Sequence, residues 1–169
     1  YRDKSTANAR RLYEAQQLQA LCERYKVPLI INDDIRLAQA IGAGVHLGRT
    51  DGSIAKARRS LGAKAIIGAT CHNSLDLARQ AAAAGANYLA FGAFYPSATK
   101  PQAELADRQI LSQAKDLGLP IVAIGGITLD NAQPLIDAGA DCIAVISDVF
   151  ARPVSAIAQR AQEFSRLFL

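Results

Sequence analysis

The sequence predicts an α/β protein, a (β/α)8 TIM barrel whose first strand is missing from this sequence. Three observations carry that expectation. Short apolar runs at 27–31, 45–47, 65–67, 88–91, 121–124 and 142–146 alternate with segments of helical periodicity. Apart from His46, each run is continuously apolar, which marks strands buried on both faces, the habit of parallel sheets. Nearly every run ends in polar or glycine-rich residues, as barrel strands do around a common mouth. Tyr1-Arg2-Asp3-Lys4 has no initiator methionine and reads as the tail of a further strand, making seven strands, each followed by a helix. A fragment, a processed chain or a domain of a larger fusion protein is therefore expected. With 169 residues, half of them hydrophobic, the chain is expected to form one domain over 1–169 with a substantial core. An open doubly wound sheet is the rival architecture.

Taken in order, Leu12, Ala15, Leu18 and Leu21 recur at helical spacing within 5–25. The strand at 27–31 ends at Asn32-Asp33-Asp34, and the following helix stops at Gly42. Val45-His46-Leu47 leads to Gly48-Arg49-Thr50-Asp51-Gly52, then to a helix closed by Gly62. The next strand closes with Gly68-Ala69-Thr70-Cys71-His72, and Asn73 or Ser74 caps an alanine-rich helix. Tyr88-Leu89-Ala90-Phe91 runs into a loop kept out of sheet and helix by Pro96 and Pro101, and a helix is expected from about 103 to 117. The run at 121–124 ends in Gly125-Gly126, and Thr128 or Asp130 starts a helix. The strand at 142–146 gives way to Ser147-Asp148 and a terminal helix.

Composition narrows the function classes. The formal net charge of +4 comes from scattered basic residues, with no basic block interleaved with aromatics, so no nucleic-acid partner is expected. A modest positive balance suits small anionic substrates. No apolar run approaches a membrane span, so no membrane partner is expected. Cys22, Cys71 and Cys142 are too few and too dispersed for a disulfide framework or a metal site, which points to a reducing, cytoplasmic setting. Cys71 beside His72 makes a poor thiol nucleophile, since neighbours on a strand face opposite ways.

The strand ends collect the chemistry. Asn32, Asp33 and Asp51 supply carboxylates and an amide from two loops, a donor set for a hard cation such as Mg²⁺. Arg2, Lys4 and Lys100 add positive charge suited to a diphosphate, and Thr70, Ser97 and Thr99 add hydroxyls. Gly126 before a helix, with Ile146 and Ser147 after the last strand, suits a monophosphate held by backbone N–H groups. Each has a plainer role open to it. Asn32, Asp33 and Asp34 equally serve as helix caps, as does Asp51; Arg2 and Lys4 equally serve as solvated charge, and His72 as a structural histidine.

The ordered set Tyr-Arg-Asp-Lys at 1–4, Ile-Ile-Asn-Asp at 30–33, Gly-Val-His-Leu-Gly at 44–48 with Asp51, Gly-Ala-Thr-Cys-His at 68–72, Tyr-Pro-Ser-Ala-Thr-Lys at 95–100, Ala-Ile-Gly-Gly-Ile at 123–127 and Ala-Val-Ile-Ser at 144–147 resembles the thiamine-phosphate synthases. The resemblance implies a transferase of thiamine biosynthesis that joins hydroxymethylpyrimidine diphosphate to hydroxyethylthiazole phosphate and releases pyrophosphate. It also implies a dissociative, Mg²⁺-assisted reaction in which the diphosphate leaves before the thiazole nitrogen attacks. Carried over by position, Asp33 and Asp51 hold Mg²⁺, and Arg2, Lys4, Asn32 and Lys100 grip the diphosphate, with Thr70 nearby. Ser97, Thr99, Gly126, Ile146 and Ser147 meet the thiazole phosphate. The chain departs from the family pattern at Arg49, Thr70, Ala93, Ser97 and Asp148; the last puts a carboxylate beside a phosphate site, where a small residue is usual. The alternatives are the related thiazole tautomerase, using His72, and a non-catalytic phosphate-ligand domain of a larger fusion protein. A homo-oligomer is compatible with all three.

Overall fold

Among the described residues, six short parallel strands form one sheet in chain order from β1 to β6. They are β1 (Ile30–Asn32), β2 (Gly44–Leu47), β3 (Ile67–His72), β4 (Tyr88–Phe91), β5 (Ile121–Ile124) and β6 (Cys142–Ala144). The computed structural model describes residues 1–96 and 104–169 of the chain. α1 (Asn8–Arg24) precedes β1, and between the strands lie α2 (Ile35–Ile41), α3 (Ile54–Leu61), α4 (Leu75–Ala83), α5 (Gln109–Gln113) and α6 (Leu129–Asp137). After β6 come α7 (Ser147–Phe150) and α8 (Val154–Ser165). By packing, the residues divide into two compact units, Tyr1–Thr70 with Gln80–Asn87 and Cys71–Arg79 with Tyr88–Leu169.

In the first unit β1, β2 and the start of β3 pair in register, Ile31 opposite Val45 and Val45 opposite Ile67. These three side chains are almost wholly removed from water and join Leu37, Ala38, Leu47 and Ala57 in one core. Each large aliphatic buried this way contributes about 1.5–3 kcal/mol. Tyr1 extends the ladder. Its amino group donates to the Ile30 carbonyl at 2.7 Å and its own carbonyl accepts from the Asn32 N–H at 2.9 Å. The strand-tail expectation for Tyr1 thus has a physical basis in one rung of parallel pairing.

In the second unit β4, β5 and β6 pair with Phe91 opposite Ala123 and Ala123 opposite Ile143. Leu89, Phe91, Leu111, Ile121 and Leu135 are fully buried. Two expectations fail here. The helix expected from 103 begins only at Gln109, because the Asp107 carboxylate takes the Gln109 N–H at 2.9 Å and starts the turn there. The run 142–146 is not a buried strand throughout. β6 stops at Ala144, Cys142 is exposed and Ile146 is 60 % exposed; among the described residues β6 pairs with β5 alone.

Among the described residues no helix is long and apolar enough to cross a membrane.

Candidate active site

Which of three consecutive polar residues after β1 caps the next helix decides which are left for chemistry. Asp34 does the capping. Its Oδ1 accepts the Leu37 N–H at 3.0 Å, and Arg11 holds Oδ2 at 2.8 Å. Burial alone would raise the Asp34 carboxyl, but the Leu37 N–H and Arg11 hold it below the usual range. Likewise Ser53, not Asp51, caps α3, accepting the Lys56 N–H at 3.1 Å. Asp33 and Asp51 are therefore released from the helix-capping roles open to them.

Asp33 sits at φ +67°, a left-handed conformation costly for a residue with a Cβ. Its N–H donates to the His46 carbonyl at 2.8 Å, which holds the turn. The turn brings its carboxylate into an ion pair with Lys4. Asp51 is fixed from the other side by the Gly48 N–H at 3.0 Å. Burial, and then the neighbouring Asp33 carboxyl through a hydrogen bond and its charge, raises the pKa of Asp51, while the Gly48 N–H and then Lys4 only partly oppose them. Two carboxyl groups facing each other with one lysine form an acidic pair that favours a further cation. That donor set fits a hard divalent ion held by oxygen ligands and water.

The loop bearing Lys4 is itself ordered. The Asp3 carboxylate accepts from the Ser5 N–H at 2.8 Å, the Ser5 hydroxyl at 2.9 Å and Arg10 at 3.0 Å. The Ser5 N–H, Arg10 and the Ser5 hydroxyl together lower its pKa to about 2. Arg2 projects from the same loop and is exposed. Asn32 is half-buried at the end of β1, in register with His46 of β2.

His46 was not among the residues picked out by sequence, and the structure adds it. Its Nε2 lies 2.8 Å from the Thr70 hydroxyl oxygen, while its backbone holds Asp33. Burial lowers its pKa, with the Asp33 charge opposing, so the ring favours its neutral form. The available signal was its place in the Gly-Val-His-Leu-Gly strand, where alternation sets His46 apart from the buried Val45 and Leu47. Lys4, Asp33, Asp51, His46 and Thr70 thus form one connected cluster at the carboxyl ends of β1, β2 and β3.

In the second unit, Gly126 adopts φ +64°, and a Cβ there would meet the Tyr95 and Pro96 carbonyl oxygens at 2.5 Å. Only glycine fits. Thr128 and Asn131 form a reciprocal cap at the start of α6, the Thr128 N–H donating to Asn131 Oδ1 at 2.8 Å. Asn131 also donates to the Gly126 carbonyl at 3.1 Å. Ile146 and Ser147 are exposed at the junction of β6 and α7. Asp148, the carboxylate expected to disturb a phosphate, is ion-paired with Arg152 at 2.8 Å and Arg160 at 2.7 Å. Ser97, Thr99 and Lys100 lie outside the described residues.

Cys71 is fully buried, and burial pushes its thiol up to about 12. A thiolate nucleophile there is excluded at neutral pH. His72 is exposed, with φ +52° at the end of β3.

Polar groups gathered at the carboxyl ends of parallel strands define an α/β protein of the enzyme-bearing kind. The model of the family described as thiamine monophosphate synthase matches residues 1–149. The chain is 56% identical to the thiamine-phosphate synthase of Marinobacter nauticus, over 99% of this chain and 76% of that protein. It is also 56% identical to the thiamine-phosphate synthase of Thiobacillus denitrificans, over 99% of this chain and 80% of that protein. Among solved structures, thiamine phosphate pyrophosphorylase from Pyrococcus furiosus superposes with a TM-score of 0.87 at 30% identity, over 98% of this chain and 79% of that one. This chain belongs to the thiamine monophosphate synthase family.

Proposed function

We propose that the chain joins hydroxymethylpyrimidine diphosphate to hydroxyethylthiazole phosphate, giving thiamine phosphate and pyrophosphate. The observation that carries this reading is the Asp33–Asp51 carboxyl pair beside Lys4, an oxygen donor set for a divalent cation of the kind that would offset charge on a departing diphosphate. Family membership and relatives named for the same product support it.

In this proposal Asp33 and Asp51 hold Mg²⁺, which when bound would offset negative charge building on the leaving group. Arg2, Lys4, Asn32 and Lys100 bind the diphosphate oxygens. The Thr70 hydroxyl, oriented by His46, donates toward them. Ser97, Thr99, Gly126, Ile146 and Ser147 receive the thiazole phosphate through hydroxyl and backbone donors. No protein nucleophile takes part, in keeping with the elevated thiol pKa of Cys71. The parallel sheet with its strands in chain order, together with the Pyrococcus furiosus likeness, supports the finer architecture, a (β/α)8 barrel. Cytoplasmic placement belongs to the same proposal and rests on the charge of the substrates.

The test is pyrophosphate release from the two substrates with Mg²⁺ present and after chelation. The proposal expects release that requires both substrates and falls to background with chelator. Isomerisation of the thiazole without pyrophosphate release would overturn it in favour of a tautomerase.

A further inference from the structure

Asp148 stands beside Ser147 of the proposed monophosphate subsite, yet its charge is fully engaged. Oδ2 accepts the Leu129 N–H, in the first turn of α6, at 2.9 Å and two Arg160 nitrogens at 2.7 and 3.1 Å. Oδ1 accepts from Arg152 at 2.8 Å. Arg160 is held in turn by Glu163 at 2.9 Å and lies 5.6 Å from the Phe164 ring centroid. The side chains of Asp148 and Arg160 are only 12% and 13% exposed. Burial by itself would raise the Asp148 carboxyl, but Arg152, the Leu129 N–H and Arg160 hold it below the usual carboxylate range.

We infer that Arg160, with Arg152, is a positioning residue for the monophosphate subsite, keeping the Asp148 carboxylate bound and neutralised so that it does not repel the incoming phosphate. The inference rests on the proposed subsite at Gly126 and Ser147. The four charges Arg152, Arg160, Asp148 and Glu163 cancel. Replacing Arg160 by a neutral residue leaves two carboxylates against one arginine beside an anion site. Asp148 also occupies the Leu129 N–H, a helix-start donor that an anion would otherwise compete for.

The experiment is calorimetric titration of the full chain with hydroxyethylthiazole phosphate and, separately, with the unphosphorylated thiazole alcohol. The ratio of the two affinities isolates recognition of the phosphate. Arg160→Gln should lower that ratio about tenfold, through unfavourable charge alone. Arg160→Gln combined with Asp148→Asn should restore it to within about twofold of wild type. A merely structural role for Arg160 would weaken both ligands alike and would not be rescued. Asp148→Asn alone, available if Arg160→Gln does not fold, should keep or raise the ratio. An unchanged ratio in folded Arg160→Gln, no rescue in the double variant, or a fall in folded Asp148→Asn each overturns the inference while leaving the proposed reaction intact. A wild-type chain that does not prefer the phosphate overturns the subsite itself, and the inference with it.

Discussion

In the first unit Asp33 pairs with Lys4 and faces the Asp51 carboxyl, and burial, then Asp33, raises the pKa of Asp51. Asp148 in the second unit meets two arginines and a backbone N–H, and its pKa falls. Both arrangements pack carboxylates beside glycine-rich or polar strand ends, so residue type alone does not separate them. The difference lies in what completes the charge. Among the described residues, one cluster sets two carboxyl groups beside a lysine; the other closes a carboxylate with two arginines and a backbone N–H. The neighbours Asp33 and Asp34 repeat the contrast within two residues, since Asp34 is satisfied by a helix N–H and Arg11.

The sharpest way to break this comparison is to neutralise the open carboxylate. Asp33→Asn should lower kcat for pyrophosphate release by about 10²–10³-fold, whereas Asp34→Asn should leave kcat within about twofold. Equal losses in the two variants, measured on folded protein at saturating substrates, would show that the distinction between them is false.

Gly126→Ala should come next, destabilising the second unit by about 2 kcal/mol because the new Cβ faces two carbonyl oxygens in a left-handed conformation. Denaturant midpoints of the two proteins check this. The acid response sharpens the contrast further. Asp148 and Asp141 have folded pKa values below their unfolded ones, so their contribution is complete above about pH 4 and fades as pH falls through the folded values. Melting temperature followed from pH 5 to about 2.5 should therefore decline less steeply in Asp148→Asn than in wild type. The smallest expected effect is loss of the α3 cap. Ser53→Ala should cost about 1 kcal/mol and leave turnover unchanged.

The alternation of apolar runs and helical segments was legible because parallel strands bury both faces, and this chain's runs at β2 and β4 do so. The polar strand ends were legible for the same reason, as interruptions of those runs. Assigning the cap among Asn32, Asp33 and Asp34 was not, because all three are competent and only the turn at Asp33 selects Asp34. His46 was hidden by its surroundings, since a histidine inside an apolar strand gives no sign of its cross-strand partner Thr70. Arg160 was hidden by distance, lying 12 residues from Asp148 on a helix whose composition looks solvated. The late start of α5 was set by the Asp107 side chain against a local backbone N–H, a competition that apolar periodicity does not register.

One further feature repeats in both units. Asn87, just before β4, accepts the Ile67 N–H at 2.8 Å, and Arg58 braces it at 2.7 Å. Asp141, just before β6, accepts the Ile121 N–H at 2.8 Å, and Lys115 braces it at 2.6 Å. The sequence writes the device twice, as Ala-Gly-Ala-Asn at 84–87 and Ala-Gly-Ala-Asp at 138–141, and each closure spans 20 residues. Each of these two crossovers thus carries its own ruler: its end clips the start of the strand it began from. A residue added to or removed from either helix would unseat the clip, so length errors are felt locally, within one loop of short contour and low closing entropy.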